Sequence, residues 1–101
     1  MIDWVLSIDP RNISTICDKY ETIARYGKSA DVEIVVINGR CDSCANCAAV
    51  VAANIALRRR DRAVEAARIG FNLARREDRS KAWLRQFGTV LQGIGRYAVV
   101  G

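Results

Sequence analysis

The hydrophobic positions of this chain fall into blocks with different periods. Ile2, Trp4, Leu6 and Ile8 share one face, with Asp3 and Ser7 opposite, and this alternation predicts a strand. Asp9-Pro10 reads as a helix start. Asp9 caps free amides there, and Pro10 suits a first helical position whose N–H has no partner anyway. Ile13, Ile16, Cys17, Tyr20, Ile23 and Ala24 then recur at helical spacing, predicting a helix to about Tyr26 with Gly27 as its left-handed stop. Asp31–Ile37 is β-branched and nearly continuous, the composition of a strand buried on both faces. Strand, helix and strand in this order predict a parallel βαβ unit with a right-handed crossover. Asn38-Gly39 is expected to lead into the next helix rather than a hairpin, because the residues beyond it do not alternate.

Cys41–Leu57 is apolar on almost every side, broken only by Asn46 and Asn54 after its opening residues. Such a segment is expected to be a buried helix at the centre of the fold, and its alanines let neighbours approach closely. No Gly or Pro forces a break after Leu57, so the next helix either starts at Asp61 or continues the central one. Ala63, Ala66, Ala67, Gly70, Leu73 and Ala74 form its inner face. Ser80 is the expected cap of the last helix, whose apolar stripe is Trp83, Leu84, Phe87, Val90, Leu91 and Ile94. Tyr97–Val100 reads as a short closing strand or a frayed end. The expected architecture is therefore α/β, with α+β as its variant. A small N-terminal parallel βαβ unit is followed by three helices and a short C-terminal strand, in a single domain spanning residues 1–101.

Composition adds a bound. Half the residues are hydrophobic, enough for a folded core rather than a disordered tail. No window has the form of a signal peptide or of a spanning helix, so a cytoplasmic protein with no membrane partner is expected.

Charge changes the picture more. Residues 1–57 carry five Lys/Arg against seven Asp/Glu, and residues 58–101 carry eleven against four. The basic half holds Arg58, Arg59, Arg60, Arg62, Arg68, Arg75, Arg76, Arg79, Lys81 and Arg85 within one stretch. Guanidinium groups bind phosphate and carboxylate bidentately, and a ridge of them suits a nucleic-acid backbone read by shape and phosphate. The function expected first is that of a small non-enzymatic binding protein for RNA or DNA, in a regulatory or host-interaction role. A protein–protein interaction module or inhibitor, docking the same helices on an acidic protein surface, is the alternative. A homodimer suits either. Asp61, Glu65, Glu77 and Asp78 interrupt the stripe, and i,i+3 or i,i+4 pairs on an ordinary solvated face remain open. So does an Arg-for-Lys bias of a GC-rich genome.

The cysteines carry a third reading. Cys41, Cys44 and Cys47 follow C-x2-C-x2-C, a spacing that reaches one zinc ion or iron–sulfur cluster. The chain has no His, so only Cys17 is left as a fourth ligand. Alternatively, Cys41-Asp42-Ser43-Cys44 after a strand and before a helix is a redox motif, with thiol pKa values lowered by the helix N-terminus. The order over residues 2–57 resembles the first half of a thioredoxin-like fold, which implies a thiol-redox activity for Cys41 and Cys44. The later helices and the absence of any proline beyond Pro10 depart from that fold. Free core thiols are the bland reading of all four. Ala56–Leu73 also faintly resembles one tetratricopeptide repeat, but Trp83 falls out of register and one copy does not stack. Gly27-Lys28-Ser29 lacks the earlier glycine and the following helix of a phosphate-binding loop. With no His and no paired carboxylates, common acid–base catalysis has few groups to use.

Overall fold

A computed structural model describes residues 12–76 and 81–97, which form five α-helices and one short 3₁₀ turn, with no strand among the described residues. The expected strand at Ile2–Ile8, the Asp9-Pro10 start, Arg79, the Ser80 cap and residues 98–100 lie outside them.

Helix α1 spans Ile13–Arg25. Its cap is Asn12, whose side-chain oxygen accepts from the Thr15 N–H at 3.0 Å. It ends as its sequence predicts. Gly27 takes φ +81°, while the Gly27 and Lys28 amides donate to Ala24 and Ile23. This double bond pattern closes a helix through a left-handed residue that glycine occupies without strain.

The βαβ expectation is overturned by the next segment. Ser29–Asn38 is helix α2, not a strand. β-Branched residues cost a helix only a few tenths of a kcal/mol each. An isolated strand would leave its amides without partners, whereas a helix satisfies them within the segment. With no second strand among the described residues, the helix wins. Val32 fills the core, Asp31 sits at the positive helix end, and Glu33 forms an ion pair with Arg59. The α/β and α+β classes therefore give way to an all-helical arrangement of the described residues.

Helix α3, Cys44–Ala56, is central as its composition suggests. Ser43 caps it by accepting from the Asn46 N–H at 3.2 Å. Cys44, Cys47, Ala48, Val51, Ala52 and Ala53 are buried along it. It packs between α1 and α4 (Arg60–Arg76), and α2 touches both α1 and α3. A Cβ at Gly39, between α2 and α3, would overlap Val50 and the Val35 carbonyl, so only glycine passes there.

Helix α4 turns Ala63, Ala66, Ala67, Gly70 and Ala74 inward. Helix α5, Lys81–Gln92, places Phe87 directly over Gly70. Trp83 stacks on Phe87 with ring centroids 5.6 Å apart. The Gln86 side chain accepts from the Ile13 N–H at 3.3 Å, tying α5 to the start of α1. Ile94 leaves the expected stripe: α5 ends at Gln92, Gly93 takes φ +63°, and Ile94 is exposed. Tyr97 is buried in the 3₁₀ turn Gly95–Tyr97 and not in a closing strand. No helix among the described residues is long and apolar enough to cross a membrane.

Candidate nucleic-acid interface

The boundary left open after Leu57 is a tight turn. The Arg58 amide donates to the Ile55 carbonyl, and the Arg59 amide to that of Asn54 at 2.8 Å. This is the same closure that ends α1, but arginine stands where α1 has glycine. Arg58 takes φ +59° and is the only non-glycine residue with positive φ among those described. For an L-residue this conformation costs roughly 1–2 kcal/mol.

The turn fixes where the basic residues go. Arg59 is withdrawn from the stripe: it is half-buried and pairs with Glu33, joining α2 to the α3–α4 turn. Arg58, Arg60, Arg62, Arg68, Arg75, Arg76, Lys81 and Arg85 are all exposed. Seven of these, Arg60 being the exception, make no ion pair with another described residue. Asp61 and Glu65 are exposed beside them and do not neutralise those seven through ion pairs. Arg58–Arg62 also line a shallow concavity at the start of α4. Cations at this end oppose the positive pole of the helix dipole, at a cost of about 0.3–1 kcal/mol each. Arg75 and Arg76, in the last turn, suit the negative pole.

The cysteines are placed differently from the spacing argument. Among the described residues, no three Cys, Asp or Glu side chains gather in an arrangement able to hold a metal ion. Cys17, Cys41, Cys44 and Cys47 are all free thiols, and only Cys41 is partly exposed. Cys47 is held above the ordinary thiol range, first by burial and then by the neighbouring Cys41. Burial pushes Cys17 up to about 12, and the charges that bear on it are Arg96, Glu21 and Asp18. Cys17 and Cys47, the two thiols so raised, lie outside the Cys41-Asp42-Ser43-Cys44 motif. Residues 31–37 are helical, so the strand preceding that motif in a thioredoxin-like order is missing.

Sequence reasoning passed over Arg96. Its Nη1 donates to the Ser14 carbonyl and hydroxyl, both at 2.9 Å, and to Asp18 at 2.7 Å. Its Nη2 donates to Glu21 at 2.9 Å. The partners Ser14, Asp18 and Glu21 recur along one side of α1, a spacing visible in the sequence, but the long-range arginine that meets them is not. No protein-family profile, curated protein or solved structure matches this chain.

Proposed function

We propose that this chain is a small non-enzymatic protein that binds nucleic acid through phosphate contacts. The observation that supports the reading is the set of seven exposed cations without an ion-pair partner among the described residues. Uncompensated guanidinium groups repel one another and regain that energy when phosphates replace their counterions. Arg60 to Arg76 spans about 24 Å at 1.5 Å per residue, enough to follow several consecutive phosphates. Trp83 and Phe87 stack on each other, and Phe87 is buried, so base stacking on these rings is not part of the reading. Recognition then follows shape and phosphate spacing more than base identity. The test is a mobility shift with duplex RNA, duplex DNA and single strands at two salt concentrations. Binding to one class that weakens steeply at the higher salt supports the reading; no shift at low salt refutes it.

A protein contact is the second reading, favoured by α2. Ile34 is 52 % exposed and Ile37 is 76 % exposed on that helix. The occupant we favour is a second copy of the chain. Ile34→Lys with Ile37→Lys then lowers the mass measured by light scattering from dimer to monomer.

A further inference from the structure

A cavity of about 360 Å³ opens between the C-terminal ends of α1 and α3, the first turns of α4, and the 3₁₀ turn. Its size falls in the range that takes a small organic ligand. Four arginines line it, Arg25, Arg58, Arg60 and Arg96, against one acidic residue, Glu21. Glu21 is already paired with Arg96, so it does not offset Arg25 or Arg58. Arg25 and Arg58 are exposed and have no ion-pair partner among the described residues. The rest of the lining is largely apolar, and Val64 and Val90 contribute to it.

We propose that this cavity binds a phosphate monoester whose organic body is small and apolar. Two features choose phosphate over carboxylate. The excess of positive charge favours a dianion, and a phosphate monoester is largely dianionic above its second pKa of about 6. Arg25 from α1 and Arg58 from the α3–α4 turn both line the cavity, and two guanidinium groups suit an oxyanion with three free oxygens. The apolar wall takes the body, where a bare phosphate leaves it empty. The backbone adds a separate argument. Arg58 holds a left-handed conformation that glycine would hold without strain, and this strained residue stands in the cavity lining. The proposal shares only Arg58 with the seven cations of the nucleic-acid reading, and Arg68, Arg75 and Arg76 are not in this lining.

The experiment is calorimetric titration of the full chain near pH 7.5 with phenyl phosphate, inorganic phosphate and phenol. Phenyl phosphate is expected to bind one to one, and the other two roughly tenfold more weakly or not at all. Arg58→Gly removes one cation and relieves the backbone, so it folds and is expected to weaken phenyl phosphate roughly tenfold. Val64→Phe fills the cavity without changing charge and is expected to weaken it as well. Saturable binding lost in both variants establishes the site. Absence of saturable binding, equal affinity for phenol or inorganic phosphate, or unchanged affinity in Arg58→Gly overturns it. A monoester on a small molecule and one at the end of a strand present the same chemistry. Comparing a dinucleotide with and without a 5′-phosphate tells the sources apart: a gain from the phosphate assigns the strand end, and no gain assigns the small molecule. The Arg68, Arg75 and Arg76 substitutions that test nucleic-acid binding leave phenyl phosphate affinity unchanged, so the two readings fail separately.

Discussion

The Arg59 amide donates to the Asn54 carbonyl at 2.8 Å, and this bond reaches across Arg58. It holds Arg58 at φ +59°, in a position that α1 fills with Gly27. The turn ends the central helix, starts α4 and gathers Arg58, Arg60 and Arg62 at one corner. Arg58→Gly is predicted to stabilise the chain by about 1 kcal/mol, since the strain at this φ is removed. Thermal denaturation checks it: the midpoint rises by roughly 4–8 °C, while Arg58→Ala, still strained, brings no such gain.

Gly70 and Phe87 form the contact that lets α5 lie on α4. A Cβ at Gly70 would stand 2.5 Å from the Phe87 ring. Gly70→Ala is predicted to destabilise by about 1–3 kcal/mol through overpacking. Combining it with Phe87→Leu makes room, so the double variant loses less than the sum of the two single losses. Additive losses in chemical denaturation would contradict the contact.

Arg96 ties the 3₁₀ turn to Ser14, Asp18 and Glu21 of α1. Asp18 is more than half exposed, so solvent screens that pair and its share is small. The bonds to Ser14 and Glu21 matter more. Arg96→Gln is predicted to cost about 1–2 kcal/mol and to speed amide exchange in residues 94–97 before the rest of the chain.

Burial holds the Cys17 thiol and the Tyr97 phenol protonated, each pushed up to about 12. Their ordinary values are 9.0 and 10.0, so the unfolded chain releases these protons first as pH rises. The stability they contribute is full below pH 9 and is lost as pH climbs toward 12. The melting temperature is predicted to fall across that window, and Cys17→Ala to remove the earlier part of the fall. At pH 8 in the native protein, Cys41 is predicted to react with a disulfide reagent first, and Cys17, Cys44 and Cys47 only on unfolding. Three thiols reacting together in the folded chain would contradict this.

Sequence patterning exposed the amphipathic helices and hid the ones set by context. The Ile13–Ala24 stripe, the alanine face of α4 and the Trp83–Leu91 stripe each repeat near 3.6 residues, and each is a helix. Residues 31–37 have no such period. Their β-branched composition points to a strand, but no strand partner stands among the described residues and Val32 packs into the core of a helix. The Arg stripe was legible as charge, but Arg59 was not separable from it, because Glu33 lies 26 positions away. The thiol spacing showed which cysteines are near in sequence, and burial, which spacing does not encode, made Cys47 a poor nucleophile. The turn at Arg58 left no mark, since its sequence lacks the glycine that normally announces such an end.

The account rests most on the unpaired cations of α4 and α5. The direct test is the salt dependence of binding to duplex RNA and duplex DNA, for the native chain and for Arg68→Gln, Arg75→Gln and Arg76→Gln combined. Glutamine keeps helix propensity, so circular dichroism should stay unchanged. On duplex DNA, a plot of log affinity against log salt is predicted to be steep for the native chain and shallower by about 2–3 for the variant, roughly 0.9 per lost phosphate contact. The same slope and affinity in both proteins, or no binding at low salt, would contradict it and leave these arginines as a solvated face.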